Sequence, residues 1–403
     1  MINVADWLVE NRGKIEEGVN FLGQASEVLA STVGQFHPIL KAVSVASGEI
    51  LNNPEGEEAR YLAEQFELVH QKLESIQKTD VGRLVIENHC HERPDCDQIG
   101  RAVQKSSMNM QNFHRESQML SQYEKFQEFI NAKPKYKEKK KEKFLSHYEN
   151  TDGDLNLEAL YNAVTGQNIA GDRMLETVVS IEARSRRAVE DFCACLKKLF
   201  LVGIIAIMSH AALKEEAVDG EMVKKWQERM EDVETRMKAA VEDCTNNFAE
   251  QAKIDLEHEL KDKTGSLETD FIKPILESLI KKYDWISWSI RVFRVKEAIW
   301  LAGKKFHGQG GGENSFEVMV NNEFKVVVSF CVEPVAINRK FILQQIEEQK
   351  LNMMTMAEAL SRNIPNCLVH AVSHYKVVET NNFQPECYFY AKHKNAFICI
   401  HPV

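Results

Sequence analysis

The stretch LFLVGIIAIMSHAAL, Leu199–Leu213, decides how the rest of this chain is interpreted. It is an uncharged run between Lys197-Lys198 and Lys214, in a chain otherwise rich in charged residues. As a helix it would be roughly 22 Å long at about 1.5 Å per residue, against roughly 30 Å of bilayer hydrocarbon. The run is therefore too short for a constitutive membrane span, and something must cover it in water.

Three structures remain open for this run: a buried core helix, an apolar tip that enters membranes conditionally, or a spanning helix that starts at Phe192. A fold back at Gly203 would instead give a hydrophobic hairpin. On the membrane hypotheses, lysines flanking the run would reach the lipid headgroups. These headgroup-flanking candidates are Lys197, Lys198 and Lys214. The membrane-interacting candidates are Leu199, Phe200, Leu201, Val202, Ile204, Ile205, Ile207 and Met208.

A second feature is a sharply basic run between residues 133 and 143. Such a run is typical of a solvated linker or helix face, and it would also attract anionic lipid headgroups. Tyr136 alone interleaves it, so the run does not have the aromatic platform that stacks on nucleic acid bases. The basic patch consists of Lys133, Lys135, Lys137, Lys139, Lys140, Lys141 and Lys143.

Composition narrows the class of protein. The 403 residues carry a formal net charge of -10, which argues against a general nucleic acid binder. Asp6 and Glu10 interrupt the first apolar positions, so no secretory signal is visible. Nine cysteines, an odd and scattered set, fit a reducing compartment better than a disulfide framework. We therefore expect an intracellular, cytoplasmic protein that associates with membranes if the apolar run is released.

The first 283 residues have a helical hydrophobic period. Leu62, Phe66, Val69 and Leu73 form an apolar stripe on one charged helix. A longer stripe predicts another helix that needs a partner along much of its length. Its members are Trp226, Met230, Val233, Met237, Val241, Cys244 and Phe248. The pattern predicts a mainly α protein, an elongated multi-helix bundle over residues 1–283.

Beyond residue 284 the period changes to two. Phe316–Val320, Asn321-Asn322 and Glu323–Cys331 predict a β-hairpin with asparagines at the turn. A helical segment from about 338 to 360 follows, and then strands at 367–378, 387–392 and 396–400. This order predicts a smaller α+β domain over 284–403, with an antiparallel sheet and helices on one of its faces. Because the segment carries its own apolar strands, we expect it to fold alone.

Chemical motifs are sparse. His370 and His374 are about 13 Å apart on a regular strand, so they predict a surface pair rather than one metal site. His89-Cys90-His91 with Cys96 has none of the paired spacings of a structural zinc site. No catalytic motif or acid pair stands out, so we expect no enzyme activity, no catalytic residues, no metal and no cofactor.

Several segments resemble the fish rapunzel family. They are Ala25–Ser44, Tyr148–Val164 (YENTDGDLNLEALYNAV), Leu196–Ile207 (LKKLFLVGIIAI), Pro365–Tyr375 (PNCLVHAVSHY) and Cys399–Pro402 (CIHP). The resemblance covers most of the chain, and it implies a link to fin and skeletal development. It brings no catalytic residues with it.

The layout also resembles that of α-helical pore-forming toxins, in which long helices flank a short apolar insertion that stays covered in the soluble form. We therefore expect a non-catalytic, membrane-associating protein with a conditionally exposed apolar segment. The alternative is a soluble scaffold whose apolar helix stays in the core and which binds another protein. The expected partners are an anionic membrane surface, an unidentified protein or a second copy of the chain, and not nucleic acid.

Overall fold

A computed structural model describes much of the chain. The residues it describes are 4–22, 33–35, 38–39, 41, 55–75, 114–166, 173–214, 220–261, 269–294, 307–320, 324–348, 353–373, 377–393 and 396–403. They divide into two compact units, Met1–Thr245 and Asn246–Val403. His89-Cys90-His91 with Cys96, His374, the turn at Asn321-Asn322 and most of Ala25–Ser44 lie outside the described residues.

The first unit is helical. Its helices are α1 (Val4–Leu22), α2 (Glu57–Ser75), α3 (114–130), α4 (Lys137–Asn150), α5 (Gly153–Thr165), α6 (Met174–Ile181), α7 (Arg186–Leu213) and α8 (Gly220–Asn246), with a 3-10 turn at Pro134–Tyr136 before α4.

The first predicted apolar stripe is buried. The second is buried except for Val241, which is half-buried, and its predicted last member, Phe248, belongs to the next helix, Phe248–Leu260, in the second unit. Leu62, Phe66, Val69 and Leu73 of α2 are at most 2% exposed, and Trp226 and Met230 of α8 at most 1%. Aromatic rings connect the helices: the centroids of Phe66 and Phe126 are 5.1 Å apart, and those of Phe126 and Phe144 are 5.5 Å apart. The mainly α prediction is confirmed for this unit.

The second unit contains α9 (Phe248–Leu260), α10 (Thr269–Lys282), α11 (Arg339–Glu348), α12 (Met353–Asn363) and a 3-10 turn at Pro385–Cys387. Its strands are β1 (Ser287–Arg294), β2 (His307–Gly310), β3 (Ser315–Val320), β4 (Phe324–Cys331), β5 (Cys367–Ser373), β6 (Val378–Asn381), β7 (Phe389–His393) and β8 (Ala396–Pro402). They form two antiparallel sheets of order β3-β4-β1-β6 and β2-β5-β8-β7.

The α+β class of this unit is confirmed, but the arrangement differs from the prediction of one sheet with helices on one face. Alternate residues of β1, Trp288, Ile290 and Val292, pack under α9 and α10. On the other sheet, Val369 and Ile398 pack under α11 and α12. The remaining faces of the two sheets lie against each other. The unit is thus layered helix, sheet, sheet, helix.

Two segments differ in detail from the prediction. The predicted strand 367–378 ends at Ser373, and Val378–Asn381 is a separate strand of the other sheet, paired with β1. The predicted helix 338–360 is two helices, α11 and α12. The hairpin strands β3 and β4 are paired as predicted, with Phe316 opposite Val328.

The division between the units, after Thr245, lies earlier in the chain than the expected boundary near 284. The reason is aromatic packing between α9 and the first sheet. Phe248 of α9 has its ring centroid 5.9 Å from that of Trp288 on β1 and 5.0 Å from that of Phe330 on β4. Tyr283, just after α10, lies 5.8 Å from Trp288. The two helices therefore form the outer cover of the sheet.

This packing predicts different behaviour for two fragments. Residues 246–403 should melt cooperatively in isolation, because they retain both helical covers. Residues 284–403 should not, because Trp288 and Phe330 would face water instead of Phe248 and Tyr283, exposing apolar area worth about 25 cal/mol per Å². Thermal melting followed by circular dichroism and tryptophan fluorescence tests both fragments. A cooperative transition of the shorter fragment would contradict the role given to α9 and α10.

Candidate membrane-interacting helix

The apolar run of the sequence lies in one continuous helix. Helix α7 extends from Arg186 to Leu213, 28 residues, or about 42 Å at the usual rise of a helix. It passes through Gly203 without a break, so the alternative of a hairpin folded at this glycine is wrong. Within the described residues, α7 is the one helix whose length and composition would allow it to cross a membrane, a property that core helices of soluble proteins share.

All of the membrane-interacting candidates are buried in the first unit. The most exposed of them, Ile207, is 9% exposed, and Phe200 and Met208 are 0% exposed. From Leu199 to Ser209 every residue is buried, so every face of this part of the helix is covered. A surface helix buries one stripe only, and burial all round is typical of a central core helix or a membrane helix. The candidates are Leu199, Phe200, Leu201, Val202, Ile204, Ile205, Ile207 and Met208.

Neighbouring helices approach α7 closely at Gly203. A Cβ atom built on Gly203 would lie 2.4 Å from Cε of Met119 on α3 and 2.6 Å from Cδ1 of Leu157 on α5. Both distances are shorter than normal van der Waals contacts. Glycine at this position therefore allows two helices to close over the middle of the apolar run.

Polar and aromatic groups of α4 hold the C-terminal end of α7. The ring of His210 stacks on that of Tyr148 at a centroid distance of 4.3 Å. The Tyr148 hydroxyl donates a hydrogen bond of 2.6 Å to Oδ1 of Asp154 on α5. Glu149 forms an ion pair with Lys214, and its Oε1 is 3.6 Å from Nε2 of His210. The hydrogen bond from Lys214 lowers the pKa of Glu149.

The headgroup-flanking candidates do not share one environment. Lys214 directly follows the last residue of α7 and is exposed, as expected for a residue at the boundary of an apolar segment. Lys197 and Lys198 are half-buried and lie near the middle of the helix, because α7 begins eleven residues before Lys197, at Arg186. Lys197 and Lys198 therefore lie where α7 changes from charged to apolar residues, and not at an end of the helix.

One lysine that was predicted to belong to the basic patch is buried. Lys137 is 4% exposed, and its Nζ donates a hydrogen bond of 2.6 Å to the backbone carbonyl of Ile130. Burial lowers the pKa of Lys137 to about 8. The 3-10 turn at Pro134–Tyr136 directs this side chain inward, so Lys137 is a structural residue and its inclusion in an exposed patch was wrong.

The other lysines of the patch lie at or near the surface. Lys140 is half-buried and shares Glu128 with Lys125, and these two bonds lower the pKa of Glu128 to about 2. Lys135 lies over the ring of Tyr136, with Nζ 4.8 Å from the centroid. Lys141 is half-buried, and the fully exposed members are Lys133, Lys135, Lys139 and Lys143.

Sequence reasoning missed the residues that cover α7. Met119, Tyr148 and Leu157 lie far from the apolar run in sequence. The residue patterns of their own helices do not indicate which other helix they contact. Tyr148 and Leu157 do fall within the segment Tyr148–Val164 that resembles the rapunzel family. Within the described part of the chain, no group of three or more histidine, cysteine, aspartate or glutamate side chains is arranged to hold a metal ion.

The first unit thus defines a class of helical proteins in which a bundle encloses one helix with an apolar segment that is buried on every face. The cephalotoxin-like middle helical domain matches residues 52–266, more than half of the chain and the part that contains α7. The chain therefore belongs to the family of proteins with this domain. No solved structure matches the chain.

A curated relative is similar over more than half of the chain. Protein rapunzel of Danio rerio is 22% identical over 238 residues, which is 59% of this chain and 97% of the rapunzel protein. Together with the domain match, this confirms the resemblance to the rapunzel family that the sequence motifs indicated.

The close approach at Gly203 predicts the effect of a larger side chain. Gly203→Leu should lower the free energy of unfolding by about 1–3 kcal/mol, because the new side chain must displace Met119 and Leu157. The matched control is Gly13→Leu on α1, where a Cβ would meet no atom within 4 Å. Urea denaturation of both variants measures the difference. Equal stability of the two variants would mean that α7 is not tightly covered at Gly203.

Proposed function

We propose that this protein associates with membranes without catalysis, by releasing α7 from the bundle so that its apolar residues enter lipid. The observation that carries this proposal is the unbroken burial of Leu199–Ser209 on every face of the helix. A helix without a polar face can exchange protein neighbours for acyl chains with little loss, since both surroundings are apolar. A helix with one apolar stripe would have to bury polar groups on the same path.

The first step of such a process would be attraction to the bilayer surface. The exposed lysines of α4 and of the turn before it, including Lys139 and Lys143, could contribute about 1 kcal/mol each near an anionic surface. Glu138 and Glu142 in the same helix reduce this attraction. An anionic membrane surface is therefore the partner that we propose first, and a second copy of the chain is a further proposed partner once α7 is released.

Three further statements belong to the same proposal. We place the protein in the cytoplasm and at membranes facing it, and we assign it no enzyme activity and no binding of nucleic acid. By analogy of layout with α-helical pore-forming toxins, we propose that the covered apolar segment acts as a conditional membrane insertion, and the name cephalotoxin-like is consistent with this analogy. The similarity to Protein rapunzel supports a role in fin and skeletal development.

A second candidate function is a soluble scaffold in which α7 never leaves the core. The contacts around Gly203 and the stacking of His210 on Tyr148 favour it, because each of them holds α7 in place. The two functions differ in one measurable quantity, the environment of α7 in the presence of lipid.

A fluorescent probe on α7 distinguishes the two functions. Ile207, the most exposed of the candidates, is replaced by cysteine and labelled with an environment-sensitive fluorophore, with labelled wild type as the blank. On vesicles of phosphatidylcholine and phosphatidylserine, we expect quenching by lipids that carry a quencher on the acyl chain. The matched control is Val9→Cys on α1, which is 76% exposed and should not be quenched.

Either of two results would contradict lipid entry by α7. The protein could fail to float with neutral and anionic vesicles at every pH tested. It could also float without quenching at position 207, in which case the protein binds the surface while α7 stays in the core, as the scaffold function requires.

The basic patch gives a separate prediction. The double variant Lys139→Glu and Lys143→Glu should weaken binding to anionic vesicles, with a larger effect at low salt, because the surface charges are screened at high salt. The double variant Lys224→Glu and Lys238→Glu on α8 is the matched control, since it makes the same change of charge at two exposed lysines outside the patch. Vesicle flotation at two salt concentrations measures the difference. Equal losses of vesicle binding for the two variants would mean that the overall charge of the protein, and not the basic patch, attracts it to the membrane.

A further inference from the structure

Between the facing sheets of the second unit, a layer of buried polar side chains lies beside two small apolar clusters. On the first sheet, Ser289 and Arg291 of β1 and Ser329 of β4 are 0% exposed. On the second sheet, His370 of β5 and His401 of β8 are also 0% exposed. His307 of β2 adds a third imidazole, with its side chain 8% exposed. We call these six residues the inter-sheet layer.

Hydrogen bonds across the layer fix the protonation of His401. Its Nδ1 is 2.7 Å from the backbone carbonyl of Pro402, which can only accept, so Nδ1 carries the hydrogen. Its Nε2 then accepts from the hydroxyl of Ser329, 2.7 Å away on the opposite sheet. This link between the sheets requires His401 to be neutral, because a protonated ring has no lone pair with which to accept.

The other two histidines form a hydrogen bond within the second sheet, and one of them also faces the first sheet. Nε2 of His307 is 2.8 Å from Nδ1 of His370, and the rings stack at 5.1 Å. Nδ1 of His307 faces the carboxylate of Glu317 on the first sheet at 3.6 Å, which favours a hydrogen on Nδ1. His307 Nε2 then accepts from His370 Nδ1. This arrangement leaves His370 Nε2 as a buried lone pair without a hydrogen bond partner.

Arg291 supplies a permanent positive charge at the centre of the layer. Its guanidinium donates to the hydroxyls of Ser289 at 3.3 Å and Ser329 at 2.5 Å, and its Nε has no hydrogen bond partner. Glu379 is opposite Arg291 in the register of β1 and β6, and it accepts a hydrogen bond from Tyr388. Arginine stays charged at all relevant pH values. Any proton added to His370 or His401 therefore creates a second cation beside the first, away from water.

We propose that the inter-sheet layer is an acid-sensitive connection, in which protonation of His401 breaks its hydrogen bond to Ser329 on the opposite sheet, protonation of His370 places a second buried cation beside Arg291, and the second unit opens. The groups that face these rings are Arg291, Ser329, His307, Tyr388 and Cys399. His307 is faced in addition by Glu317 and Lys325, both ends of one ion pair.

The direction of the pH effect follows from burial. Burial lowers the pKa of His401 to about 3, and burial followed by the charge of Arg291 lowers that of His370 well below 6.5. Burial also lowers the pKa of His307. A histidine with a lowered pKa in the folded state stabilises the fold above pH 6.5, and this contribution is lost as the pH falls below 6.5. For His401 the folding equilibrium should fall about 25-fold between pH 7 and pH 5.

One carboxylate acts in the opposite direction. Burial raises the pKa of Glu379, so its protonation favours the folded state as the pH falls. Glu317 does not contribute in this window, because the hydrogen bond from His307 holds its pKa at about 2. Between pH 7 and pH 5, protonation of the three imidazoles therefore lowers the stability of the second unit, and protonation of one carboxyl group raises it.

Hydrogen exchange of the full-length protein at pH 7.4 and pH 5.0, corrected for the intrinsic pH dependence of exchange, tests the proposal. We expect the protection factors of peptides from β1, β4 and β8 to fall at least tenfold at pH 5.0. Those of peptides from α2 and α8 of the first unit should stay unchanged. If strand and helix peptides respond equally in the wild type, the proposal is overturned, and this result needs no variant.

Variants then assign the effect to the layer. His370→Gln with His401→Gln should reduce the loss of protection on acidification, because glutamine cannot take up a proton in this range. His70→Gln is the matched control, since His70 lies at the surface of α2 with its side chain 39% exposed, and it should leave the loss unchanged. If the double variant does not fold, Ser329→Ala is used instead, which removes the donor to His401 and also one acceptor of Arg291. It should lower protection already at pH 7.4, so that the further loss at pH 5.0 is smaller than in the wild type. An unchanged pH response in a folded double variant would contradict the proposal.

Discussion

The covering of one helix on all its faces is the constraint on which the first unit depends. Because Leu199–Ser209 of α7 has no face suited to water, neighbouring helices must approach it from every side. Gly203 allows Met119 and Leu157 to close over the middle of the helix, and Tyr148 covers its end. The short connection through Thr151 and Asp152 places α4 and α5 side by side, so that one sequence segment supplies both covers.

Hydrophobic periodicity was sufficient for part of the fold. The stripe that includes Trp226 and Met230 predicted a buried helix face, and alternation predicted the strands β3 and β4. It could not decide the surroundings of α7, because an apolar run has the same composition in a core and in a bilayer. Periodicity also placed the domain boundary too late, since the pattern of α9 is helical whether its apolar face meets another helix or a sheet.

Other errors have equally physical causes. The strand SWSIRVFR, Ser287–Arg294, was not among the predicted strands, although Trp288, Ile290 and Val292 alternate with polar residues in it. Lys137 lies in a run of exposed lysines, and a local 3-10 turn, not its residue type, buries it. His370 was expected at the surface because histidine in an alternating strand usually faces water, and only the second sheet covers it.

Different interactions stabilise the interiors of the two units, and each interior contains a buried cysteine side chain. Cys193 on α7 and Cys399 on β8 are at most 5% exposed, one in the apolar bundle and one at the polar layer. A thiol reacts with electrophiles as the thiolate, which needs water or a nearby positive charge and access for the reagent. Each unit therefore carries a native reporter, and the rate at which each cysteine is alkylated would record how often that unit opens.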